Sequence, residues 1–144
     1  NDLYALATEE KDYSFDAEQF GRLLGRAFQI RDDMLDFDMS SIGGKGFGND
    51  IKEKKITLPL IFLLESLNES DRERLLGFIA REDKTEREIK TLIEAVCESD
   101  CLDKSEEEVR RYSLLAKQHL QLLPDNEYRK KLEELTDYLV LRKL

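Results

Sequence analysis

The stretch QIRDDMLDFDMSSIGGKGFGND, residues 29 to 50, places Asp32, Asp33, Asp36 and Asp38 within seven residues and follows them with a glycine-rich run that contains one lysine, Lys45. Like charges this close repel one another, so they cost stability unless a cation or a well-hydrated surface answers them. On a helix, residues three and four apart share a face, so Gln29, Asp32, Asp33 and Asp36 are expected to point the same way, above an apolar face begun by Phe28. The spacing therefore offers two readings: a polar mouth that gathers positive charge over a greasy groove, or a solvated face of a charge-rich helix. Acids near a helix C-terminus face the negative end of the macrodipole, a placement that disfavours stability and so raises the odds of function slightly, with the solvated face still the first reading of the stretch DDMLD alone.

Two other chemistries fail on spacing. A calcium loop begun at Asp36 finds acids at Asp36 and Asp38 and an oxygen at Ser40, but it has Ser41 where glycine is needed and Phe47 where a bidentate glutamate closes the shell. A phosphate-cradling P-loop needs lysine followed by Ser or Thr, and Lys45 is followed by Gly46. Cys97, Cys101 and the single histidine, His119, fall short of the four Cys or His ligands of a closed zinc centre. Two reduced structural thiols are the simpler expectation.

The elements that must position the acids are helices. The chain has 144 residues, enough for one core, and a single domain over 1–144 is expected. Charged residues make up 38% and the formal net charge is −9, a balance that suits helices with charged outer faces and argues against nucleic-acid binding, which needs clustered Lys and Arg. The longest apolar stretch, Leu58 to Leu64, is far short of the roughly 20 residues that span a bilayer. With no signal-like apolar core at the N-terminus, a soluble, cytoplasmic protein is expected.

Phe15, Phe20, Leu23, Leu24, Ala27, Phe28, Ile30, Met34, Leu35 and Phe37 recur at three-and-four spacing, which predicts one amphipathic helix over about 15–37. Gly43, Gly44, Gly46 and Gly48 predict a loop over Ser40 to Asn49. Thr57 and Pro59 predict the start of the next helix, with threonine as its cap. Further helices are predicted over about 70–81, 84–98, 105–123 and 126–142, opened by Ser70-Asp71, Lys84-Thr85, Ser105 and Pro124-Asp125. Leu132, Leu135, Leu139 and Val140 give the last of them one apolar face, for the bundle or for a second subunit. The fold class is all-α, an antiparallel helical bundle with short connections.

The stretch GRAFQIRDDMLD, with GGKGFGNDIKEKKITLPLI after a short loop, resembles the second aspartate-rich motif, lysine loop and T-L-P helix start of the trans-prenyl diphosphate synthases. The closing AKQHLQLLPDNEYRKKLEELTDYLVLR is similar to that family's last helices, so the resemblance covers nearly the whole chain. It implies a partial isoprenoid synthase fold. By it, Asp32, Asp33 and Asp36 stand where the family holds Mg²⁺ on an allylic diphosphate, with Asp32 the foremost direct ligand and Gln29 beside the metal-bound water. Lys45 and Lys55 match the lysines that grip the diphosphate, Asp50 matches an acid of the loop, and Phe28 is either a wall of the prenyl groove or plain core. Oxygen donors without histidine suit Mg²⁺, which takes one or two carboxylates and keeps several waters.

The implied reaction is condensation of an allylic diphosphate with isopentenyl diphosphate: ionisation, attack of the double bond on the allylic cation, and loss of diphosphate and a proton. The family's first aspartate-rich motif has no counterpart here, since no second D-D-x-x-D occurs. The chain is therefore expected to be the C-terminal half of a synthase that works as a homodimer, and to be inactive alone. A non-catalytic helical partner subunit and a class I terpenoid cyclase are the alternatives. Cyclases carry a second motif of Asn, Ser or Thr, and Glu type, which the aspartates here disfavour.

Overall fold

A computed structural model describes residues 12–39 and 47–141. Every regular element among them is helical: α1 (Ser14–Met34), a 3-10 turn (Leu35–Phe37), α2 (Asn49–Lys52), α3 (Leu58–Ser66), α4 (Glu69–Ala80), α5 (Glu86–Glu98), α6 (Cys101–Leu120) and α7 (Glu127–Leu141).

Local chemistry sets most of the boundaries. α5 opens with a full capping box: the Glu88 N–H donates to Thr85 Oγ1 at 3.1 Å, and the Thr85 N–H donates to Glu88 Oε1 at 3.0 Å. Asn68 caps α4 by accepting from the Asp71 N–H at 2.8 Å, and Asn126 caps α7 by accepting from the Arg129 N–H at 3.1 Å. Thr57 occupies the cap position of α3 but makes no side-chain cap bond. The second helical residue there is Pro59, which has no N–H to give it. α6 begins at Cys101, four residues before the Ser105 predicted to open it. Ser99 Oγ accepts from the Cys101 N–H at 3.2 Å, whereas Ser105 is buried inside the helix and donates to the Cys101 carbonyl at 2.8 Å.

The chain divides into two compact units, one comprising residues up to Gln29 with Glu108–Lys143 and the other Ile30–Glu107. In the first, Phe20, Leu24, Ala27, Val109, Ala116, Leu120, Leu123 and Leu139 are buried. His119 Nδ1 meets Asp16 Oδ1 at 2.9 Å, and the Phe15 ring lies edge-on to the imidazole. The apolar face predicted for α7 is rotated: Leu135 is 42% exposed, and Thr136 is buried instead. Thr136 tolerates burial because its hydroxyl donates to the Leu132 carbonyl at 2.7 Å.

In the second unit, Phe37, Ile51, Leu60, Ile79, Ile89, Leu92, Ile93, Val96 and Cys101 form a continuous apolar core. α3 packs on α4 and α5, and α5 packs on the 3-10 turn. Burying these side chains contributes on the order of 1.5–3 kcal/mol each before chain entropy is set against it. The core holds the 3-10 turn through Phe37 and α2 through Ile51, both at most 1% exposed. No helix among the described residues is long and apolar enough to cross a membrane.

Candidate functional site

α1 stops at Met34, three residues short of its predicted end, and its last turn carries Asp32 and Asp33. The chain then tightens, with the Asp38 N–H donating to the Leu35 carbonyl at 3.1 Å. In a 3-10 turn residues three apart eclipse, so Asp36 stays on the side of the helix that carries Asp33, and the three acids differ in exposure. Asp32 is exposed, Asp33 half-buried and Asp36 only 9% exposed.

The residue before the two acids explains their direction. Arg31 is 1% exposed and donates through both terminal nitrogens to Glu106, Nη1 to Oε2 at 2.5 Å and Nη2 to Oε1 at 2.9 Å. Successive residues on an α-helix are about 100° apart, so pinning Arg31 inward fixes where the next two side chains emerge. Sequence reasoning passed over Arg31 and Glu106. The available signal was an arginine between Ile30 and Met34 on an apolar-periodic face, where a charge needs a partner.

Asp36 meets the first turn of α2. Its Oδ2 accepts from the Asp50 N–H at 3.2 Å, and its backbone carbonyl accepts from the Gly48 N–H at 3.0 Å. Burial pushes the Asp36 carboxyl above its usual range and the negative charge of Asp50 adds to this, while the amides of Asp50, Asn49 and Ile51 pull it back. Gly48 has φ +72°, and a Cβ there would lie 2.4 Å from Ile89 Cγ2, so the approach of this loop to α5 requires glycine.

Beyond α2 the chain turns at Lys54, which has φ 65° and pairs with Glu82, and brings Lys55 back toward the acids. The Lys55 N–H donates to the Asp50 carbonyl at 2.8 Å, and its ammonium lies 3.0 Å from Glu53 Oε2 and 3.8 Å from Asp50 Oδ1. Glu53, then Asp50 and Asp33, raise the ammonium's pKa above its usual value. Asp36, Asp50 and Lys55 are thus brought into one neighbourhood.

Gln29 and Phe28 are both exposed on α1, Phe28 at 36%, so Phe28 is not plain core. Lys45 and the preceding residues from Ser40 lie outside the described residues. Among those described, no three His, Cys, Asp or Glu side chains gather as a preformed metal centre. The donors that are present fit Mg²⁺: Asp32, exposed, and Asp33, half-buried, follow one another on the last turn of α1 and both offer oxygen. Cys97 and Cys101 are free thiols. Cys97 donates to the Phe37 carbonyl at 3.4 Å, and burial with nearby Asp38, Glu94 and Glu98 pushes its thiol up, away from the reactive thiolate.

The profile of the polyprenyl synthetases matches residues 2–96, a span that includes α1 to α4, most of α5 and Asp32, Asp33, Asp36, Lys45, Asp50 and Lys55. The chain belongs to the polyprenyl synthetase family. The short chain isoprenyl diphosphate synthase of Methanothermobacter thermautotrophicus is 34% identical over 127 residues, 87% of this chain and 38% of that relative. The nonaprenyl diphosphate synthase of Mycobacterium tuberculosis is 37% identical over 143 residues, 97% of this chain and 41% of that relative. The crystal structure of polyprenyl synthase from Caulobacter crescentus CB15, complexed with calcium and isoprenyl diphosphate, matches at 34% identity with a TM-score of 0.72, covering 91% of this chain and 40% of that one. The chain thus spans about two fifths of the length of the polyprenyl synthetases it matches, and it has their helical fold.

Proposed function

We propose that this chain supplies the second aspartate-rich side of the active site of a trans-prenyltransferase, which condenses an allylic diphosphate with isopentenyl diphosphate. Asp32 and Asp33 would hold Mg²⁺ against the allylic diphosphate, with Gln29 one turn earlier on the same helix and Lys45 and Lys55 as the cationic partners of the phosphates. Bound Mg²⁺ supplies charge neutralisation on the departing diphosphate, the Lewis-acid contribution to ionising an allylic ester. Lys55 does the same by electrostatics: its ammonium, kept charged by Glu53, Asp50 and Asp33, can exchange those carboxylates for phosphate oxygens. Phe28 offers an apolar surface on the same helix for the prenyl tail.

The observation that supports this reading is the link from Asp36 through the Asp50 amide at 3.2 Å to the Lys55 ammonium, 3.8 Å from Asp50 Oδ1, within a span that matches the family. Two of the relatives described above are named as isoprenyl or nonaprenyl diphosphate synthases and the third as a polyprenyl synthase, which favours a synthase over a terpenoid cyclase or a silent helical partner. The complete site, the homodimer and a cytoplasmic setting belong to the same proposal. A site with one acid-rich motif lacks opposing carboxylates, so the 144-residue chain is expected to bind and not to turn over.

The test is calorimetric titration of the 144-residue chain with an allylic diphosphate, with Mg²⁺ and with chelator. Binding that requires Mg²⁺ and weakens in Asp32→Asn and Asp33→Asn supports the proposal. Binding indifferent to both the metal and the two substitutions contradicts it, and robust turnover with labelled isopentenyl diphosphate contradicts the expectation of an incomplete site.

A further inference from the structure

We propose that Asp36 is a positioning residue: its carboxylate and its backbone carbonyl fasten the acid end of α1 to the first turn of α2, and this clasp sets where Asp33, Asp50 and Lys55 stand. The inference deepens the reading above and rests on it only for the ligand.

Three observations carry it. First, the carboxylate faces protein: the residue is 9% exposed, and Oδ2 is engaged by the Asp50 N–H at 3.2 Å. To reach a cation outside, that oxygen must surrender the Asp50 amide it accepts from. Second, α2 has only four residues, Asn49–Lys52, too few for a helix that must nucleate by itself, so its order comes from tertiary contacts. Asp36 is one of these, standing where the unpaired N–H groups of a first turn seek an acceptor. The Gly48 N–H on the Asp36 carbonyl at 3.0 Å is a second, and it is possible only because Gly48 has no Cβ to strike Ile89. Third, the clasp leads onward through short bonds. The Asp50 amide is on Asp36, the Lys55 N–H is on the Asp50 carbonyl at 2.8 Å, and the Lys55 ammonium lies 3.8 Å from Asp50 Oδ1.

A trio of identical acids thus divides its labour. Asp32, on the last α-turn, is exposed, and Asp33 beside it is half-buried. Asp36, buried against the first turn of α2, holds the segment that leads to Lys55. Mg²⁺, which takes one or two carboxylates and fills its remaining positions with water and phosphate, does not need the third.

The test separates an acceptor from a ligand with two substitutions at one position in the 144-residue chain. Asparagine keeps an uncharged oxygen that can accept from the Asp50 N–H, whereas alanine keeps none. The readouts are amide hydrogen exchange at Asp50 and Lys55, and calorimetric binding of inorganic pyrophosphate with Mn²⁺. For Asp36→Asn, both are expected to stay within about threefold of the parent, since Asn and Asp cap comparably. For Asp36→Ala, exchange at both amides should rise by about tenfold or more and pyrophosphate binding should weaken by a similar factor. Asp32→Asn serves as the ligand control: binding lost, exchange unchanged. The inference is overturned if Asp36→Asn loses binding as fully as Asp32→Asn with the amides still protected, because Asp36 is then a ligand. It is equally overturned if Asp36→Ala leaves exchange at Asp50 unchanged. If the parent chain binds no Mn²⁺-pyrophosphate, the proposed function fails while the exchange readout still decides the clasp.

Discussion

Arg31 of α1 and Glu106 of α6 form a two-bonded ion pair, with the guanidinium 1% exposed and the carboxylate side chain 27% exposed. Removing one partner of such a pair leaves the other charge buried and unanswered, which costs more than the pair's net worth. Glu106→Ala is therefore expected to lower the stability of the chain by about 3 kcal/mol in urea unfolding, at the low end for buried pairs because Glu106 keeps some solvent. The double variant Arg31→Met/Glu106→Leu should recover most of that loss, since it leaves no orphaned charge.

Gly48 stands with φ +72° against Ile89. Gly48→Ala adds both backbone strain and a collision, and about 2–3 kcal/mol of destabilisation is expected from the two together. The collision half is separable. In an Ile89→Ala background, which removes the struck Cγ2, the same substitution should cost distinctly less, a non-additivity that a double-mutant cycle of unfolding free energies will register.

Glu88 closes the capping box of α5, and its carboxyl is held below the usual value of 4.5 by the Thr85 N–H first and then by Arg81. A folded-state pKa below the unfolded one means that the contribution is present above the ordinary glutamate value and is lost as pH falls through the lowered one. Thermal melts between neutrality and about pH 3 should show stability declining below the ordinary glutamate range. Glu88→Gln, which cannot titrate, should show a shallower decline across that window.

Lys55 is 61% exposed, and its contacts with Glu53 and Asp50 are surface ion pairs. Such pairs contribute about 0–1 kcal/mol, so Lys55→Ala should leave unfolding almost unchanged. The same variant should bind Mg²⁺-pyrophosphate at least about tenfold more weakly, because a charge-assisted hydrogen bond to an anion is lost. A variant that lost stability and kept its affinity would place Lys55 in the scaffold instead.

The sequence made the helices legible where propensity and local chemistry agree. Thr85 with Glu88 announces α5, and the three-and-four pattern from Phe15 to Met34 announces α1. It misled where a side chain's partner is remote. Ser105 has the type of a helix cap, yet its hydroxyl serves the Cys101 carbonyl inside α6, and the hydroxyl that accepts from the first helical N–H is that of Ser99, two residues before Cys101. α2 is too short for any period to reveal, and its capping acceptor comes from Asp36, fourteen residues before Asp50. The acid cluster was visible as a motif. That Asp36 is buried while Asp32 is exposed was not, because it depends on contact with the Asp50 amide, remote in the sequence. The predicted role of Lys45 falls outside the described residues.

The most direct measurement of the central claim is anomalous scattering from crystals of the chain soaked with Mn²⁺ and inorganic pyrophosphate. Mn²⁺ shares the preference of Mg²⁺ for carboxylate, water and phosphate oxygens. The account predicts a Mn²⁺ peak at about 2.0–2.3 Å from a carboxylate oxygen of Asp32 or Asp33, a pyrophosphate bridging from it toward Lys55, and Asp36 still on the Asp50 amide. Pyrophosphate bound elsewhere, with Asp32 and Asp33 left in bulk solvent, would contradict it.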